Sequence, residues 1–134
     1  MIAYKVFREV GDELHSLAKY KNHWGISYQM DMVNVPTLEN SLLFVFETQQ
    51  QAEDFARLES PFRPPLAVWS VRVDSLLPCR VGLFLGDSPD SAMRIFWELG
   101  QSYYGGLLPP SGTRGATSVK LLEHISSWSY GEKI

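Results

Sequence analysis

The sequence predicts an α+β single domain, a mainly antiparallel β-sheet of about five to seven strands packed with two α-helices. Three observations carry this expectation. Leu42–Phe46 is an unbroken apolar run of strand length that leads directly into an amphipathic segment. Leu66–Asp74 (LAVWSVRVD) alternates throughout, with Ala67, Trp69, Val71 and Val73 on one face and Leu66, Val68, Ser70 and Arg72 on the other. Ala92, Ile95, Phe96 and Leu99 repeat at helical spacing behind a helix-start signal. A chain of 134 residues, 45% hydrophobic and 20% charged, suits one ordinary globular domain over 1–134.

Taken in order, Ile2, Tyr4 and Val6 alternate with Ala3, Lys5 and Phe7, as a first strand does. Gly11 tolerates positive φ, so Val10–Glu13 reads as a hairpin turn and Leu14–Leu17 as the returning strand. Between Ala18 and Asn40 the pattern supports only a short strand at His23–Tyr28 and an irregular connection at Val33–Pro36. Both pleat faces of Leu42–Phe46 are apolar, which suits a strand covered on both sides. Thr48 then offers its hydroxyl to a helix start, and Gln51 stands at the spacing of a capping box. Ala52, Phe55 and Ala56 form the buried stripe of that helix, and Pro61 ends it.

Beyond the alternating strand, Pro78 precedes a further apolar run at Val81–Leu85. The second helix begins with Ser88 as cap, Pro89 in the first turn and Asp90 near the positive end of the dipole, and Gly100 suits its terminus. Tyr103–Gly115 holds four glycines and two prolines and argues for irregular structure. Thr117–Ile125 fits a helix edge through Val119, Leu122 and Ile125, or a strand through Val119 and Leu121; the strand is the reading adopted. Ser126–Ile134 is expected to be a loose tail, with Trp128 and Tyr130 available to dock on the body.

Composition excludes several functions. A net charge of −3 without any Lys/Arg run gives no reason to expect nucleic-acid binding. Cys79 is the only cysteine, so neither an internal disulfide nor a thiolate zinc cluster is expected. The N-terminal residues do not resemble a signal peptide, and no apolar run approaches membrane-spanning length. A cytoplasmic, soluble protein without cofactor or metal is the expectation.

The candidate binding surface is the glycine loop and its flanks. Glycines let backbone N–H groups approach a ligand, and Ser111, Thr113 and Arg114 can hydrogen-bond a phosphate or carboxylate. Tyr103 and Tyr104 beside them offer an aromatic recognition surface for a partner protein or a planar ligand. The loop is neither a Walker A motif nor a dinucleotide fingerprint. An ordinary surface connection is the commoner reading of such composition. His15, His23 and His124 share no ligand spacing. Cys79, followed by Arg80, reads more readily as a small buried hydrophobe than as a nucleophile. Glu47 at a strand end, Glu98 on the second helix and Glu123 in the last element are scattered carboxylates.

Phe44–Ala56, read as strand, Thr and A-x-x-F-A on a helix, resembles the middle of small ADP-ribosyltransferase-like domains. The resemblance covers roughly a quarter of the chain and implies a nucleotide-transfer enzyme, with Glu123 in a comparable late strand and Glu47 as a second acidic residue. The Ser-Thr-Ser element and the Glu-x-Glu pair of that family are absent. The expectation that leads is therefore a non-enzymatic binding module for a partner protein or a small anionic ligand. The small enzyme and a structural subunit of a homo-oligomer are the alternatives.

Overall fold

A computed structural model describes residues 1–16, 19–20, 27–36, 42–62, 65–78, 87–88 and 111–134. In chain order its elements are β1 (Ile2–Val10), β2 (Glu13–His15), β3 (Lys19–Tyr20), β4 (Ser27–Tyr28), β5 (Leu43–Phe46) and α1 (Gln49–Glu59). They continue with β6 (Leu66–Val73), β7 (Leu77–Pro78), β8 (Asp87–Ser88), β9 (Thr113–Ala116), β10 (Val119–Ser129) and β11 (Glu132–Lys133). The main sheet is antiparallel in all its pairings, in the order β11-β10-β6-β1-β5-β9-β7, and β2 joins β1 to β4 beside that path. β3 and β8 form a separate parallel pair.

β1 is the axis of the sheet. One edge pairs with β6 from Ile2↔Arg72 to Arg8↔Leu66. The other meets β5 at Tyr4↔Phe46 and then β2 from Arg8 to Val10, across a two-residue turn in which Gly11 has φ +61. That turn is the hairpin read from the sequence. β5 and β6 both run antiparallel to β1, which lies between them, so β5, α1 and β6 make a split β-α-β unit.

The sheet has two buried faces because β1 alternates. Tyr4 and Val6 join Phe46, Leu66, Val68, Ile125 and Trp128 beneath the Ala52, Phe55 and Ala56 stripe of α1. Ala3 and Phe7 point the other way, into a second cluster with Tyr28, Leu43, Val45, Val71, Val73, Ala116, Val119 and Leu121. α1 starts as the sequence predicts. The Thr48 side chain accepts from the Gln51 N–H at 3.2 Å, and the Gln51 side chain accepts from the Thr48 N–H at 3.2 Å.

Three expectations are corrected. Two helices are predicted, whereas the described residues hold one; the second helix beyond Ser88 and the run Val81–Leu85 lie outside them, and Ser88 itself pairs in β8. The loose tail Ser126–Ile134 is instead the second half of β10 and the hairpin partner β11. Thr113–Gly115, placed in irregular structure, belongs to β9 and pairs with β5, because the edge of that strand not taken by β1 offers backbone N–H and C=O groups to pair.

Candidate functional site

The fold distributes the residues singled out by sequence. Tyr103 and Tyr104 lie outside the described residues, as do His23, Cys79 and Glu98. Ser111 is exposed in the turn before β9, while Thr113 is 2% exposed opposite Phe46. Arg114 is half-buried, and its Nε donates to Glu47 Oε1 at 2.9 Å while Nη1 donates to the Thr113 carbonyl at 2.8 Å. The β5–β9 register therefore joins two residues that the sequence offers as separate candidates. An incoming anion would compete with a carboxylate already in place.

His15 hydrogen-bonds Glu13 at 2.8 Å on β2, and His124 hydrogen-bonds Ser127 at 2.9 Å on β10. β1 and β6 separate those strands, which therefore run about 14 Å apart, and the register sets His15 opposite Arg8 but His124 level with Lys5. No group of three metal-ligating side chains occurs among the described residues. Glu123 on β10 and Glu47 beyond β5 are likewise held apart by β6 and β1.

The surface that stands out lies where the β10–β11 hairpin meets the end of α1. Tyr130 and Gly131 link the two strands with φ +50 and +81, the pattern of a tight mirror-image turn. Glycine takes such a conformation freely, whereas a tyrosine in it costs on the order of 1–2 kcal/mol. The turn is clamped in place. Gly131 N–H donates to Ser60 Oγ at 2.7 Å, and the fully buried Ser60 donates to the Arg57 carbonyl at 3.3 Å. Lys133 pairs with Glu53 at 3.3 Å on the helix flank. Burial works against ionisation of that Glu53 carboxyl, yet hydrogen bonds from Gln49, Ser126 and Lys133 and the Lys133 charge hold it below the usual carboxylate range.

The anchored turn exposes its aromatic ring. Tyr130 is 74% exposed, Phe62 80% and Leu58 65%. Leu58 and Phe62 are four residues apart on the closing turn of α1, where Phe62 N–H donates to the Glu59 carbonyl at 2.9 Å. Gly131 lies alongside Arg57 and Pro61, so the tyrosine and the phenylalanine flank one junction. Arg57, Glu59, Glu132 and Lys133 give the surrounding sequence mixed charge. The sequence leaves Tyr130 available to dock on the body, whereas its ring is exposed. The Tyr-Gly dipeptide between Ser129 and Glu132 was the available hairpin signal.

A second apolar surface is the connection before β5. Met30, Met32, Val33 and Val35 are exposed there. Buried Asn34 ties the loop together: its Oδ1 accepts from Gln29 N–H at 2.9 Å, and its Nδ2 donates to the carbonyls of Gln29, Met32 and Val119.

No protein-family model matches the chain, and no curated protein or solved structure matches it significantly.

Proposed function

We propose that the protein is a binding module that docks a partner protein on the surface formed by Leu58, Phe62 and Tyr130. The observation that carries this reading is Tyr130. A left-handed backbone conformation is held there by the partly buried hydrogen bond of the next residue, Gly131, to Ser60, and the ring it displays adds little to the core. Asparagine or glycine would make the same turn without strain. Exposed aromatic side chains on a rigid base, within a charged surround, have the character of interface hot spots. The ionic engagement of Arg114 with Glu47 favours this surface over an anion site at the glycine loop. The separation of Glu123 from Glu47 gives the nucleotide-transfer alternative no paired carboxylates.

The test is affinity capture with the intact chain, run beside Phe62→Ser and, as a control away from the surface, Arg114→Ala. Captured proteins are identified by mass spectrometry and each interaction is then measured with purified partner. The reading expects one partner whose binding falls at least about tenfold with Phe62→Ser and is unchanged by Arg114→Ala. The reverse ranking would return the site to the Arg114 loop. Sedimentation of the purified chain covers the remaining case: a dimer that Phe62→Ser dissolves would make a second copy the partner.

A further inference from the structure

On the sheet face opposite α1, three side chains suited to acyl transfer are in contact. Ser127 Oγ donates to Glu9 Oε1 at 3.0 Å, and His124 Nε2 lies 2.9 Å from the same Oγ. Glu9 belongs to β1 and the other two residues to β10, so the contact reaches across β6, where Ala67 stands opposite Ser127. Glu9 and Ser127 are half-buried, and His124 is exposed.

The contact exists because β10 is bulged. On an unbroken strand, residues three apart point to opposite faces. The register shift between His124 and Ser126 adds one residue to β10. His124 therefore falls opposite Trp69 and Ser127 opposite Ala67, two places apart along β6 and on one face. Bulges re-aim side chains in this way beside active sites. Each member is also held in place. The His124 ring meets the Trp69 indole edge-on at 5.5 Å. The Ser127 carbonyl accepts from Ile134 N–H at 2.8 Å, and Glu9 N–H donates to the Pro65 carbonyl at 3.1 Å. A hydroxyl nucleophile thus has a carboxylate on one side to accept its proton and an imidazole on the other.

We propose that Ser127 is the nucleophile of a further activity, hydrolysis of small neutral carboxylic esters, with Glu9 as base and His124 as acid. Glu9 takes the Ser127 proton while an Oγ lone pair forms the C–O bond to the ester carbonyl carbon, whose π pair moves to oxygen. That pair then returns, the bond to the alcohol breaks, and the leaving oxygen takes a proton from protonated His124. Deacylation reverses the roles. Neutral His124 takes a proton from water as the water oxygen attacks the acyl-serine, and Ser127 Oγ leaves with the proton held by Glu9. Water is the only co-reactant, and both groups return to their starting states. The Glu9 carboxylate repels an anionic substrate, and the half-burial of Ser127 favours a small acyl group. None of the docking residues takes part.

The test begins with diisopropyl fluorophosphate, in which the same attack forms a stable phosphoserine ester and expels fluoride. The full chain is treated at neutral pH, and each serine is followed by peptide mapping. Ser127 should be labelled at least about tenfold faster than Ser111, an exposed serine. Glu9→Gln keeps an oxygen to accept from the hydroxyl but removes the base, and should slow Ser127 at least about tenfold with Ser111 unchanged. Turnover of p-nitrophenyl butyrate should fall at least about tenfold in Ser127→Ala. Labelling of Ser127 no faster than Ser111 would overturn the proposal. So would a Ser127 rate that Glu9→Gln does not alter, or ester turnover that survives Ser127→Ala.

Discussion

Burial of Lys5 couples stability to pH. In the unfolded chain its amine keeps its ordinary value of 10.5, whereas burial in the folded protein lowers it to about 7. Between those limits the unfolded chain holds a proton that the folded chain lacks, so stability rises with pH across that window. Below about 7 both states are protonated, so the pH dependence ends and the folded chain bears the full cost of the buried charge. The slope is at most about 1.4 kcal/mol per pH unit. Urea midpoints at pH 7.5 and pH 9.5 should therefore rise for the native chain and stay nearly level in Lys5→Met; parallel curves would show that the amine is not buried uncharged. Asn34 offers a second prediction at this scale. Asn34→Ala leaves the carbonyls of Gln29, Met32 and Val119 without its amide and should cost about 1–3 kcal/mol in chemical denaturation. Neither role was legible in the sequence. Alternation puts Lys5 on a face, but which face is covered depends on strands far along the chain, and an asparagine before a proline-ended loop looks like any turn residue.

At the level of elements, the β5–α1 unit was legible almost residue by residue, because its signals are local: an apolar run, a cap and a capping box, a stripe at i, i+3, i+4. Thr48→Ala should lower stability by about 1 kcal/mol, read as a shift in melting temperature. Gly112→Ala should cost more. Gly112 has φ +82, and a methyl group there meets the Gln51 side chain that closes the capping box. A variant as stable as the native chain would show that the loop does not pack on the helix start. β10 was harder to read for a physical reason. Register shifts between Leu121 and Glu123 and between His124 and Ser126 break the period of two. The bulges place Val119, Leu122 and Ile125 at a spacing that imitates a helix edge. They also hid the continuation of the strand into Trp128 and the hairpin, so the C-terminal residues read as a tail.

For the whole molecule, the assembly of sites depends on pairings between distant segments. Glu47 and Arg114 form an ion pair because β5 and β9 are neighbours, and Gly131 reaches Ser60 at the end of α1 because β11 folds back along β10. No local pattern contains either fact. Loop composition pointed to Tyr103–Gly115 as the binding surface, since glycine and tyrosine content can be read without the fold. The surface at Leu58, Phe62 and Tyr130 becomes visible only once the hairpin is docked. As a proposed docking surface, its expected signature is opposition between stability and binding. A core residue loses both when replaced, whereas a strained, displayed residue loses binding and gains stability.

Tyr130→Asn measures that opposition directly, with urea denaturation and partner affinity determined on the same preparation. The account predicts stabilisation of about 1 kcal/mol, since asparagine suits the turn, together with a loss of binding of at least about tenfold. A variant that is destabilised, or one that binds its partner as the native chain does, would contradict it.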